Sequence, residues 1–95
     1  MKPLTKVDLE LYEIKRLIEK GWCQGEYTDG KGNICIWEAI RLATGDEEPK
    51  WGPVAWRLEK TLAKRPWLPQ SLMLFNDTST KEQVLGLVRE ALSDD

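Results

Sequence analysis

Few groups in this 95-residue chain could do covalent or acid–base chemistry, and histidine is absent. The two cysteines are Cys23, inside the stretch Trp22-Cys23-Gln24-Gly25, and Cys35. A carboxamide–carboxylate pair, Asn76-Asp77, lies far downstream. One use of these groups makes Cys23 a thiolate, with Gln24 as an oxyanion donor and Asp77 as an orienting carboxylate. Without imidazole no side chain titrates near neutrality as a general base, and a carboxylate would need a strongly raised pKa. A Cys–His pair and a Ser-His-Asp triad cannot be built within the chain. A closed zinc site draws about four ligands, mainly from Cys and His, more than these two cysteines supply. The expectation is no catalytic residue, no metal and no cofactor, with both cysteines buried or half-buried as thiols, since a reducing cytoplasm opposes a disulfide. The bland reading of Trp22-Cys23-Gln24-Gly25 is a helix stop and a core plug. Gly21 would end the helix in the left-handed conformation, Trp22 would fold back over Leu17, and Cys23 would fill the space beneath as a small hydrophobe. Gln24 would bond the open carbonyls of that helix end. Asn76-Asp77 is read as a turn whose side chains bond their own backbone.

A second constellation occupies residues 50–67. Lys50, Arg57, Lys60, Lys64 and Arg65 stand there against Glu59 alone, a net charge of +4 in a chain of net −2. Trp51, Ala55, Leu58 and Leu62 share a helical face, and Trp56 points ~130° away from it, on the side of Arg57, Lys60 and Lys64. A tryptophan among cations can stack a ring and hold phosphate, or meet an acidic protein partner. The bland alternative is a solvated face with the indole lying under lysine stems. Leu9 and Tyr12 similarly fall opposite the stripe of the first helix.

These groups must be positioned by helices. Val7, Leu11, Ile14 and Ile18 form one face of a helix over 5–20, with Thr5 and Asp8 as its capping box. Asp29-Gly30-Lys31-Gly32-Asn33 is a turn whose flanks could pair as a short hairpin. Asn33 then caps a helix over 34–44 that ends at Thr44-Gly45, with Ile36, Ala39, Ile40 and Ala43 inward. Pro53 suits the first turn of a helix over 52–65. A short helix covers 70–75. Ser79 and Glu82 form the capping box of a last helix over 80–92, whose stripe is Val84, Leu87, Val88 and Ala91. The architecture expected is mainly α, one small domain spanning 1–95, with about four helices and a β-hairpin at 22–36 as an optional addition.

Composition narrows the function classes. Hydrophobic residues are 41% and charged residues 32%, as in globular chains. The net charge gives no global basic field for nucleic acid. No apolar run approaches the ~20 residues of a membrane helix. The first residues lack the apolar core of a signal peptide, so the cytoplasm is the expected location.

Gly21-Trp22-Cys23-Gln24-Gly25, then Gly32 and Cys35 with Ala39-Ile40, then Asn76-Asp77 before the final helix, together resemble a family of small uncharacterised domains. That family occurs in bacteria, notably actinobacteria, and in their phages. Its pattern runs GWCQG, a turn, Gly-x-x-Cys-x-x-Gly-Ala and later Trp-Asn-Asp, and here covers roughly residues 8–92. Glu38 stands where the pattern has glycine, and Phe75 where it has tryptophan. The resemblance implies a bacterial or phage setting and no activity. The function expected is a non-enzymatic module binding a protein partner, as monomer or dimer, through Trp56, Arg57, Lys60 and Lys64. The alternative is a small-ligand or nucleotide-binding domain with the Trp22-Cys23-Gln24-Gly25 stretch lining a pocket. A thiol enzyme using Cys23 is third.

Overall fold

The computed structural model describes residues 3–48 and 52–93. Among these lie five helices: α1 (Lys6–Lys20), α2 (Ile36–Thr44), α3 (Pro53–Leu62), α4 (Leu72–Thr78) and α5 (Lys81–Ser93). Four are the principal helices the periodicity predicts, and α4 is the short one.

The cap of α1 forms as its sequence dictates. Thr5 N donates to Asp8 Oδ2 at 3.0 Å and Asp8 N donates to Thr5 Oγ1 at 3.1 Å. Leu11, Ile14 and Ile18 are fully buried, Val7 packs at the core margin, and Leu9 and Tyr12 face outward. The end of α1 differs from expectation. Gly21 has φ −178°, an extended conformation open to any residue, so no left-handed Schellman stop forms. Glycine is required there for space. A Cβ would lie 2.6 Å from Asn33 Oδ1 and 2.9 Å from Gly32 O, where the returning chain crosses.

That crossing replaces a regular hairpin. Ile34 bridges Thr28 in antiparallel fashion and Trp22 in parallel fashion. The parallel contact rests on Ile34 N donating to Gly21 O and Cys23 N donating to Ile34 O, both at 3.1 Å. The flank after the turn is too short for more than one bridge on either side. Asn33 does not cap α2, because its carboxamide donates to Asp29 at 2.6 Å. The helix begins two residues later, at Ile36, with Cys35 at the N-cap position. It ends at Gly45, left-handed at φ 73°, as the Thr44-Gly45 signal predicts.

Pro53 opens α3, and Ala55, Leu58 and Leu62 are buried together with Val54 and Thr61. Trp51, placed on the same stripe by periodicity, lies outside the described residues. The helix ends at Leu62 and not at 65, and the Gln70 carboxamide donates to Leu62 O, Arg65 O and Leu68 O beyond its end. Two local readings shift at the C-terminal side. Asn76-Asp77 is no turn but the last turn of α4, and Ser79 is the C-cap of that helix. The capping box of α5 is one residue later than Ser79 and Glu82. Thr80 N donates to Gln83 Oε1, and Gln83 N donates to Thr80 Oγ1.

Helix α1 is the centre of the packing, lying against α2, α5 and, more lightly, α3. A polar tie crosses these layers. Arg57 of α3 donates to Asp8 Oδ1 of α1 and to Ala91 O of α5, each at 3.1 Å. Asp8 is 3% exposed. Its pKa is lowered, first by the Thr5 backbone amide, then by the Thr5 hydroxyl and the Arg57 guanidinium, against the opposing pull of burial. A carboxylate depressed in the folded state stabilises the fold above its unfolded pKa of about 3.9, and that contribution is lost as pH falls through the lower folded value. Asp8→Asn is therefore expected to lower the Tm by several degrees at pH 7, with the gap to wild type closing below about pH 4. Thermal melts of both proteins from pH 7 to pH 2 check this; a gap that persists unchanged at pH 2 would mean the charge is not what matters.

Candidate functional site

Two regions hold the residues singled out by their chemistry. In the first, Trp22-Cys23-Gln24-Gly25 meets Asn76-Asp77. Beyond the Trp22–Ile34 bridge, a regular parallel ladder would continue with Ile36 N donating to Cys23 O. The Asn76 carboxamide is inserted there instead. Ile36 N donates to Asn76 Oδ1 at 3.0 Å, and Asn76 Nδ2 donates to Cys23 O at 3.1 Å. A primary amide carries the same donor and acceptor as a peptide unit, so it can splice a ladder at the point where the backbones part. The remaining valences are also used. Trp22 Nε1 donates to Asn76 Oδ1 at 2.8 Å, and Nδ2 donates to Asp77 Oδ1 at 3.1 Å. Asn76 is 0% exposed, and both its N–H groups and both lone pairs of its oxygen are occupied. It also serves α2, since Ile36 N is an open helix-terminal donor that Cys35, at the N-cap, does not bond.

The neighbours complete the joint. Gly25 N donates to Asp77 Oδ1 at 2.8 Å. Gln24 Nε2 donates to Ser79 O at 2.6 Å and Asn76 O at 3.4 Å. Gln24 thus bonds open carbonyls at a helix end, as its amide suggests, but those of α4 and not of α1. Trp22 turns its indole nitrogen to Asn76, and no Schellman motif places it. Residues placed apart as a stop and a turn are one contact, over a separation of 54 residues. Two readings of the sequence joined them, the thiolate site that drew on Gln24 and Asp77 and the pattern of the resemblance, which contains both stretches.

The thiols are quiet. Both are free, Cys23 half-buried and Cys35 buried. Cys23 Sγ donates to Glu26 O at 3.5 Å. Its pKa is raised, first by burial and then by Asp29, Cys35 and Glu26. Burial likewise raises Cys35, outweighing the pull of the Trp37 and Glu38 amides. A thiolate nucleophile needs the opposite shift. Among the described residues no cluster of His, Cys, Asp or Glu has the makings of a metal site, and no helix is long and apolar enough to cross a membrane.

The second region is the outer side of α3. Trp56 is 63% exposed. Lys60 Nζ lies 5.1 Å from its ring centroid, a cation–π contact. Lys64 is exposed one turn further on. Arg57 does not join them, because its guanidinium turns inward to Asp8 and Ala91. Arg65 is ion-paired with Glu90 of α5. Lys50 lies outside the described residues. Of the basic segment, Trp56, Lys60 and Lys64 therefore make the outward face. Two concave features of the described residues lie elsewhere. One of about 160 Å³ runs between Lys6, Ile40 and Pro53, and one of about 330 Å³ between Leu68, Phe75 and Leu87. Neither is lined by these three residues or by the Trp22-Cys23-Gln24-Gly25 stretch.

A model of a family of unknown function, DUF6197, matches residues 3–94, and the chain belongs to that family. No curated protein and no solved structure matches it.

The joint makes graded demands on its members. Asn76→Ala leaves buried partners of the carboxamide unpaired and is expected to destabilise the fold by about 3–5 kcal/mol. Trp22→Ala is expected to cost a similar ~3–5 kcal/mol through lost packing. Trp22→Phe keeps most of that packing and leaves Asn76 Oδ1 bonded to Ile36 N, so about 1 kcal/mol is expected. Urea unfolding of the three variants measures the order; an Asn76→Ala protein as stable as wild type would refute the splice.

Proposed function

We propose that this domain is a non-enzymatic interaction module of bacterial or phage origin, working in the cytoplasm, that docks an acidic protein partner on the outer side of α3. The observation that carries the reading is Trp56. A tryptophan 63% exposed on a regular helix contributes nothing to the core, which Val54, Ala55, Leu58 and Leu62 of the same helix already fill. Left in water it forgoes roughly 1.5–3 kcal/mol of burial. Tryptophan is also the residue most enriched among interface hot spots. Lys60 restrains the indole through its cation–π contact, and with Lys64 supplies a positive rim that would steer a negatively charged partner.

The other readings find less support. A small ligand prefers a concavity, and Trp56 borders neither of the two described above. A thiol enzyme needs groups free to act. Cys23 is held protonated by burial, Gln24 is bonded to Ser79 O, and Asp77 accepts from Gly25 N and Asn76.

The test is affinity capture from a host lysate with wild type and with a Trp56→Ala, Lys60→Glu double variant, followed by reconstitution with the purified partner. The variant should fold normally, because neither residue is buried. Trp56→Ala alone is expected to weaken binding by about 2 kcal/mol or more, roughly 30-fold. Wild-type association should slow as salt rises and the Debye length falls below ~8 Å. Unaltered binding by a correctly folded double variant refutes the assignment.

A further inference from the structure

We propose that Cys23 and Cys35 form a thiol–disulfide site, open at rest and closed by a low-molecular-weight disulfide of the glutathione class. The register carries the inference. Trp22 and Ile34 are a parallel bridge pair, so Cys23 and Cys35 hold the next position on the two chains. Side chains one step along both strands of a parallel pair leave on the same side of the pleat. The hydrogen bond from Cys23 N to Ile34 O, 3.1 Å long, ties the two backbones beside the pair. That bond keeps the two backbones together beside the cysteines, as a disulfide requires, since its Cα atoms must lie ~4.4–6.8 Å apart. The joint around Asn76 and the space-limited crossing at Gly21 hold this register rigidly.

Access is unequal, and it orders the steps. Cys23 is half-buried and Cys35 fully buried, so only Cys23 meets a reagent from solution. Cys23 loses its proton to water and its thiolate attacks one sulfur of the small disulfide. The small S–S bond breaks, one small thiolate leaves, and a mixed disulfide forms on Cys23. Cys35 then loses its proton and attacks Cys23 Sγ, expelling the second small thiolate. Two protein thiols are oxidised, one small disulfide is reduced to two thiols, and the protons released balance the thiolates formed. Burial keeps both thiols protonated, so closure is slow near neutrality and quickens at higher pH. A dithiol reductant reverses it.

Native full-length protein is incubated with excess oxidised glutathione at pH 8, quenched by rapid alkylation and weighed intact. The expected product has lost about two mass units, takes up no alkylating agent and melts several degrees higher, all reversed by dithiothreitol. Cys35→Ala should stop at one glutathionyl group on Cys23. A wild type that accumulates the mixed disulfide without closing, that pairs between molecules, or that leaves both thiols alkylatable overturns the proposal. The wild-type result decides even where the variant fails to fold.

Discussion

One buried carboxamide holds the two halves of this chain in register. A buried amide that finds no partners costs several kcal/mol, so it stays buried only where each of its donors and acceptors is met. Asn76 meets all four, with an indole N–H, a helix-start amide, a strand carbonyl and a neighbouring carboxylate. Satisfying it fixes where Trp22 turns, where α2 begins and how the last turn of α4 faces the loop. The segment 22–35 has almost no regular pairing of its own, and this group supplies the pairing that the backbone lacks. Asp would lose both donors, and Gln would place the amide one methylene too far.

The Asp8–Arg57 pair does related work on the other side of α1. Asp8 closes the cap of its own helix and at the same time receives Arg57 from α3. A buried ion pair repays its desolvation only when its remaining valences are filled, and Arg57 fills another with Ala91 O. The cost is a cation withdrawn from the surface. Much of the basic character of 50–67 is spent internally, here and at Arg65–Glu90, so the outward face is narrower than the charge count suggests.

Gln24, Asn76 and Asp77, polar side chains that resemble catalytic machinery in the sequence, are hydrogen-bonded within the fold. Trp56 is an exposed indole beside a lysine on a helix whose core stripe is complete. The two cysteines each follow a residue of the Trp22–Ile34 bridge and differ in access to solvent, which suits the proposed thiol pair better than a lone nucleophile. Trp56 and Cys23 are the members of these features that solvent reaches, while Cys35 is buried.

The sequence by itself determined the helices, their inward stripes and some of their caps. Thr5–Asp8, Pro53 and Thr44-Gly45 read correctly because each acts within four residues, and burial of Leu11, Ile14, Ile18, Val84 and Val88 follows from a 3.6-residue period. Where two caps were equally legal, as with Ser79–Glu82 and Thr80–Gln83, local chemistry did not choose between them. Only the tertiary structure decided the roles of Gly21, Arg57 and Asn76. Gly21 is glycine because Gly32 and Asn33 cross it, Arg57 turns inward because Asp8 waits 49 residues away, and Asn76 is buried because the ladder it completes begins 53 residues earlier. Periodicity records which face a residue is on, but a hydrogen bond depends on where its partner arrives in space, and that is set by how the helices pack.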